Sequence, residues 1–442
     1  MPAFVAVDEI SSADEPAILS KDREKDAQRL IMVYVVSGLF FMLLPGTFLG
    51  VWNLISLSGG NGNAISTAWI QAHGHAQIFG WIGTFILGIG FYSIPKMAGG
   101  NTQPAAAGWI AWALWTTGVL LRWATGFYQL YWRALLPLSS LLELCAFLIF
   151  LNSVKRHRPD ESRKKNEQMP AWVISILTGT VGFGVSLFLN LVIAAYVSLR
   201  DTGPAFPLIF EARFLALVSY AFIVPTVWGF SARWLPVFLG LKPLDERLLR
   251  CALLFSIGGV LLIVTGLSTV GHWLIVAAAV ASVCALHLFE QPRQAPKTTG
   301  VHPLFPRFVR IAYIWLLIAS ALGVCSVYLD HAHGWIGASR HALTVGLIST
   351  MVFAIGQRVL PAFAGMRVLY SPRLMLMCLV LLNVGCVLRV GSEILAYEDY
   401  WSPAWQALPW SAICELMAVT VFAVNMLLTF KQPPAHLPAR TQ

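Results

Sequence analysis

The sequence predicts an all-α membrane protein with 12 transmembrane helices in three pseudo-repeated quartets and with both termini in the cytoplasm. The composition, the distribution of basic residues and an internal repeat lead to this prediction. Of the 442 residues, 57% are hydrophobic and only 12% are charged, about half the charged fraction of a soluble domain. A soluble fold of this size cannot cover so much apolar surface, which excludes soluble globular, disordered and fibrous proteins.

Apolar segments of spanning length set the predicted organisation. A transmembrane helix needs roughly 20 mostly apolar residues, and 12 segments meet this requirement. They are 30–54, 68–95, 105–124, 131–153, 171–198, 209–236, 248–268, 271–289, 308–329, 339–361, 373–393 and 406–430. The sequence therefore predicts a tail over 1–29, a single membrane domain over 30–430 and a second tail over 431–442.

The basic residues lie on alternate sides of these segments. Lys and Arg occur before the first segment and in the loops that follow the even-numbered ones, most densely in the charged connector 154–170. The loops between segments 1 and 2 and between 7 and 8 have none. By the positive-inside rule, both termini face the cytoplasm. The net charge of +9 then reflects basic residues that determine topology and contact anionic lipid. No nucleic-acid partner is expected.

An internal repeat divides the chain. Residues 75–99 and 341–365 align without gaps and are identical at 10 of 25 positions. The alignment pairs His75 with His341, and in both copies a proline follows 20 residues after the histidine. A weaker third copy ends at 233–240, with Ala216 where the others have histidine.

The three copies fall on the second, sixth and tenth predicted helices. This spacing gives quartets of about 30–153, 171–289 and 308–430. Repeated units of this kind can close into a pseudo-threefold ring, with the repeated helices in equivalent places.

Paired histidines are the strongest functional signal. His75 and His341 are expected at one depth near the outer membrane boundary, because 20 helical residues rise about 30 Å. Two neutral imidazoles at one depth suit axial ligation of a haem iron, while the alternative is that each is an interfacial hydrogen-bonding group. His73 lies about 200° around the helix from His75, so the two cannot bind one ligand together. His73 then binds a second metal or a haem propionate, or is the true ligand in place of His75.

Four arginines on the outer side or within the membrane are candidates to bind the haem propionates, since guanidinium pairs well with carboxylate. They are Arg122, Arg133, Arg213 and Arg389. The alternative is local salt bridging, in which Glu211 pairs with Arg213. By the same alternative, Arg389 pairs with Glu393 one helical turn later.

Two deeper carboxylates, Glu143 and Glu415, lie within predicted helices 4 and 12. They are either protonated packing groups or members of a proton relay. Two isolated carboxylates do not define a pathway.

A second metal, such as copper, is a further possibility on the outer side. His331 and His333 lie in the loop between segments 9 and 10, and His272 begins segment 8. Together with His73 they offer imidazole donors that suit copper. The alternative is that the two loop histidines are simply solvated. The sequence contains neither CxxC nor CxxCH, so covalent c-type haem and zinc-ribbon sites have no support.

The histidines on helices 2 and 10 give the chain a family resemblance. The pattern is similar to subunit I of the haem-copper oxidases and nitric oxide reductases, and it resembles the NnrS family more closely. The matching motifs are H-G-H at 73–75 and H-A-L-T-V-G at 341–346. The resemblance implies a bacterial inner-membrane protein that contains haem and copper and is linked to nitric oxide metabolism. Predicted helices 6 and 7 have no histidine, which argues against an oxidase-type copper centre.

Three functions remain open from the sequence. The first is an NnrS-like protein that binds haem b through His75 and His341 and acts in nitric oxide metabolism or the nitrosative-stress response. The second is a divergent haem-copper-type oxidoreductase subunit that reduces NO or O2, with an electron-transfer partner. The third is a cofactor-free transporter, although transporter sites usually lie at the midplane. Whether the protein is an enzyme stays open, as does its oligomeric state.

Overall fold

The computed structural model describes residues 15–60, 65–97, 105–155 and 168–433. Within these ranges the chain consists of helices and short connections. The first half of the predicted N-terminal tail, most of the C-terminal tail and the basic stretch 156–167 lie outside the described residues. The first helix begins at Glu15, so it includes the second half of the predicted tail.

The described residues form twelve continuous helices. They are α1 (15–58), α2 (67–97), α3 (Ala106–Tyr128), α4 (Trp132–Lys155), α5 (Ala171–Arg200), α6 (Leu208–Leu239), α7 (Glu246–Thr265), α8 (Ser268–Ala285), α9 (Phe305–Leu329), α10 (Gly334–Phe363), α11 (Pro372–Tyr397) and α12 (Ala404–Lys431).

Eleven of the helices in the described ranges are long and apolar enough to cross a membrane, so the chain is a multi-pass membrane protein. The exception is α3, which has 23 residues but is rich in Trp, Thr and Gly. A twelfth span at α3 stays a prediction.

Helices that are neighbours in sequence pack side by side around a ring. The pairs α3–α4, α7–α8 and α11–α12 have the most extensive contacts, and α12 closes the ring by packing on α1. The repeated helices α2 and α10 are the most deeply buried of the spanning helices. Their neighbours can therefore present side chains to them from several directions, which places His73, His75 and His341 inside protein rather than against lipid.

Wide π-helical turns interrupt the repeated helices. They span Ala76–Gly83 in α2, Val218–Ile223 in α6 and Ala342–Ser349 in α10, and α1 contains another at Met42–Phe48. In α2 and α10 the wide turn begins directly after His75 and His341. Such turns are rare and occur frequently at functional sites, and hydropathy alone does not reveal them.

Candidate cofactor site

Buried charged and polar side chains collect at the end of the bundle where α2, α6 and α10 begin. They form two clusters. The first cluster, between α2, α3, α4 and the start of α6, comprises Gln71, His75, Arg122, Glu143 and Glu211. The second cluster, between α1, α2, α10, α11 and α12, comprises His73, His341, Arg389, Glu393 and Glu415. Groups of this kind are costly inside a membrane protein and mark functional sites.

In the first cluster, His75 is held by a carboxylate. Its Nε2 lies 2.8 Å from Oε1 of Glu143, and both residues are buried, at 7% and 0% exposed. A carboxylate oxygen accepts hydrogen bonds, so Nε2 of His75 donates its proton here. The imidazole also stacks on Phe79, with ring centroids 4.7 Å apart. The Oε2 atom of Glu143 has no hydrogen-bond partner.

The rest of the first cluster connects α2 to the α5–α6 loop. Gln71 donates from Nε2 to the Phe206 carbonyl at 2.9 Å and accepts from the Phe206 N–H at 2.7 Å. The same Nε2 lies 2.8 Å from Oε2 of Glu211. The guanidinium of Arg122 lies over the Phe206 ring, 4.6 Å from its centroid, within electrostatic range of Glu143 and Glu211. Gln71 and Arg122 therefore fix this loop from inside.

In the second cluster, His73 faces α1. Its Nδ1 lies 2.8 Å from the Gly46 carbonyl oxygen, which only accepts, so Nδ1 carries the proton. A Cβ at Gly50 would lie 2.6 Å from Cε1 of His73, so glycine is needed for this approach. His73 lies within electrostatic range of His341 and Arg389. Gln77 contacts the same π turn of α1 through Thr47, at 2.9 Å, as expected for residues one helical turn apart.

His341 is oriented in a similar way. Its Nδ1 lies 2.9 Å from the Gly337 carbonyl oxygen and 2.8 Å from Oε2 of Glu393. The predicted pair of Arg389 with Glu393 is present, with Nε 3.4 Å from Oε2. Arg389 also approaches Nε2 of His341 at 3.4 Å. Two further guanidinium nitrogens of Arg389, Nε and Nη1, have no hydrogen-bond partner.

The two clusters differ in which histidine nitrogen is available. His73 and His341 each carry a proton on Nδ1 and donate it to a backbone carbonyl. Each neutral ring therefore has its lone pair on Nε2. A metal-ligating histidine almost always donates its other ring N–H to a carbonyl or carboxylate in this way. His75 instead uses Nε2 to bind Glu143. The geometry therefore groups His73 with His341 and places His75 in a separate cluster.

Two of the four predicted arginines lie outside both clusters. Arg133 donates to the Ser198 and Asp201 carbonyls at the end of α5, at 2.8 and 3.0 Å. Arg213 lies beside Gly266 at the α7–α8 turn. Glu211, the alternative partner of Arg213, binds Gln71.

The predicted copper donors are not assembled. Nδ1 of His272 donates to the Ser268 carbonyl of its own helix at 2.8 Å, and the ring packs against Gly323. His331 and His333 lie in the α9–α10 loop, where the His333 side chain is 71% exposed. Within the described ranges, no three His, Cys, Asp or Glu side chains are grouped to hold a metal ion. A copper site built from these histidines therefore stays a prediction.

A second repeat, which the sequence prediction missed, underlies the two clusters. The segment GVLLR at 118–122 matches GCVLR at 385–389, and SSLLE at 139–143 matches SAICE at 411–415. In each case a Cβ on the glycine would lie 2.8 Å from Cγ of the glutamate. Comparing α3–α4 with α11–α12 would have identified Glu143 and Glu415 as equivalent. Arg340 lies within electrostatic range of Glu211 and Glu393 and so connects the two clusters. No repeat in the sequence points to this arginine.

Comparison with known proteins provides the family context. One family model, described as NnrS protein, matches residues 32–433. Among the solved structures that resemble this one is a heme-copper terminal oxidase, with a TM-score of 0.73 and 13% sequence identity. The match covers 93% of this chain and 85% of the oxidase chain. No curated protein matches the sequence. Both parts of the predicted resemblance are confirmed, and the oxidase likeness is one of fold.

Proposed function

The chain belongs to the NnrS family, and from that premise we propose that it is a haem-binding protein of the bacterial cytoplasmic membrane that acts in nitric oxide metabolism or the nitrosative-stress response. The observation that carries the haem proposal is the matched orientation of His73 and His341. Each donates Nδ1–H to a backbone carbonyl, which leaves the lone pair on Nε2. In His341 only the long contact from Arg389, at 3.4 Å, would have to give way to iron.

The second cluster fits a haem b. His73 and His341 would hold its iron, and Arg389, whose Nη1 has no hydrogen-bond partner, suits a propionate carboxylate. When bound, the haem would supply one-electron redox chemistry, and nitric oxide would reach its iron only where one of the two imidazoles gives way. Of the two ligand pairs that the sequence leaves open, the geometry favours His73 with His341, since His75 is held by Glu143.

The proposed architecture is three quartets with α2, α6 and α10 in equivalent places, α3 as the twelfth span, and both termini in the cytoplasm. The π turns in all three helices and the matching glycine–glutamate contacts of α3–α4 and α11–α12 support the repeat. The basic residues between alternate helices support the orientation.

Reduced-minus-oxidised spectra of the detergent-purified protein and its His→Ala variants test the haem proposal. We expect haem b bands in the wild type, their loss in His73→Ala and His341→Ala, and their retention in His75→Ala. Absence of haem from the wild type would overturn the proposal and favour a transporter. Loss of the haem bands in His75→Ala, with retention of the bands in His73→Ala, would reverse the ligand assignment.

A haem-copper-type oxidoreductase subunit is the second candidate, and the shared fold favours it. It requires a copper centre, for which the described residues offer no grouped donors. Metal analysis bears on the choice, because haem without copper would exclude the oxidoreductase, whereas stoichiometric copper with haem would keep it open.

A further inference from the structure

The three repeated helices line a partly open apolar cavity of about 110 Å3 that begins at the ends of their π turns. Its walls come from α2, α6 and α10 alone. Every lining position of α2 has its aligned equivalents from α6 and α10 in the wall, as in the layers Ile82, Ile223, Ile348 and Ile89, Phe230, Ile355.

This equivalence shows that the cavity follows from the architecture. A chance packing defect would be lined by unrelated positions, whereas here the alignment that pairs His75 with His341 also pairs Ile82 with Ile348. Protein interiors are otherwise packed to crystal-like density with few voids larger than water. The β-branched Ile and Val side chains of the walls have few rotamers and resist collapse into the space.

The lining offers few partners to water or polar ligands. Apart from two hydroxyls, at Thr226 and Ser231, the lining side chains are apolar or, like Trp234, largely so. Thr226 donates to the Phe222 carbonyl of its own helix at 2.7 Å, which leaves Ser231 as the main polar group. A buried water needs two to four partners, and apolar cavities of similar size stay dry and bind xenon. The volume is too small for a lipid chain.

The cavity lies close to the candidate cofactor site. Ile348 follows His341 by seven residues on α10, a rise of about 10 Å along a helix. A molecule in the cavity is therefore near the proposed ligands.

We propose that this cavity is a binding site for a small uncharged diatomic gas, held beside the second cluster. Apolar walls and small volume define the class of ligand. The identification of that gas as nitric oxide rests on the proposed function, whereas gas binding itself does not.

Xenon is the direct probe, because it reports an accessible apolar cavity whether or not haem is bound. We expect one xenon site between α2, α6 and α10 in the full-length protein under xenon pressure, seen by diffraction or by 129Xe NMR. The variants Val352→Phe and Val227→Phe fill the space from two different helices and are expected to abolish it. Val384→Phe, the same change on the exposed face of α11, is expected to retain it.

Folding is checked by size-exclusion chromatography and circular dichroism, so a variant that fails to fold is replaced by the other. Absence of xenon from the wild type, or equal xenon binding in folded cavity-filled variants, would overturn the proposal.

Nitric oxide rebinding after flash photolysis tests the link to the cofactor. We expect the slow geminate phase to diminish in Val352→Phe and to persist in Val384→Phe. Xenon binding without this kinetic change would leave a gas cavity but overturn its role beside the cofactor. Haem without xenon binding would leave the proposed function intact, so the two failures are distinguishable.

Discussion

The first and second clusters are built on the same local pattern but use their histidines differently. His75 binds Glu143 of α4, whereas the equivalent carboxylate of α12, Glu415, has an Oε1 without a hydrogen-bond partner. His341 instead pairs with Glu393, one turn after Arg389. The α3 position that corresponds to Glu393 is Gly126, which packs tightly on Ala72.

One additional carboxylate thus separates the two arrangements. Glu393 approaches Nδ1 of His341 and fixes the ring with Nε2 facing Arg389 at 3.4 Å, while the first cluster has only Glu143, which binds Nε2 of His75. The comparison teaches that a repeated scaffold can hold one histidine as a structural hydrogen-bonding group and another as a candidate metal ligand.

The largest expected effect comes from removing Glu143. Glu143→Ala leaves His75 and Arg122 buried without their carboxylate, and breaking such a buried pair costs about 3–5 kcal/mol. The free energy of unfolding, measured by SDS titration, is expected to fall by that amount. Glu415→Ala, at the equivalent position, removes no hydrogen bond seen here and should cost clearly less. Equal losses in the two variants would contradict the distinction between the clusters.

Glu393→Gln tests the second cluster, where Glu393 orients His341. Loss of a carboxylate that orients a metal ligand lowers affinity about 10–100-fold. Haemin titration of the apo protein is expected to show this decrease. Glu143→Gln serves as the matched control and should bind haemin as the wild type does. If both variants lose affinity alike, His75 contributes to the site and the assignment of ligands changes.

Gln71→Leu probes the attachment of the α5–α6 loop to the first cluster. The change removes hydrogen bonds to Phe206 and Glu211, with an expected cost of about 1–2 kcal/mol in the free energy of unfolding. Gln77→Leu removes a single bond to Thr47 and should cost less. A larger effect from Gln77→Leu would mean that the α1 contact, beside the second cluster, is the stronger one.

The smallest effect concerns the loop that leads into His341. Partial burial opposes ionisation of Glu398, but the backbone N–H groups of His331, Gly334 and Ala332 hold its pKa below the ordinary value. Because the pKa is lowered in the folded state, this stabilisation is present above about pH 4.3 and is lost as pH falls through the folded value. Amide exchange of 331–334 should therefore accelerate, beyond its intrinsic pH dependence, at acid pH. Glu398→Gln should lack this response, and the same response in that variant would exclude Glu398 as its source.

Hydropathy and the repeat predicted most of the architecture, because lipid requires long apolar helices and a duplicated helix retains its pattern. The Arg389–Glu393 pair and the shared face of His73 and Gln77 were also predictable, since both depend only on residues one turn apart. The proposed choice of His73 over His75 as a ligand was not. It depends on Gly46 and Glu143, which approach from α1 and α4 and are distant in sequence.

The proposed copper site stays a prediction for a related reason. His272, His331 and His333 share one end of the molecule in the predicted topology, but topology fixes depth and not lateral position. The π turns add a further difficulty, since they shift the angular phase of every side chain after His75 and His341 relative to a regular 100° helix.

These wide turns also bear on how the protein arose. A π turn corresponds to one residue inserted into an α-helix, and α2, α6 and α10 contain it at nearly the same place. On the proposed triplication, the parsimonious history is one insertion in an ancestral helix, inherited by all three descendants. Since α6 has the turn but Ala216 in place of histidine, backbone shape and histidine content have diverged separately, and ancestral helix reconstruction should place the inserted residue before the three copies separated.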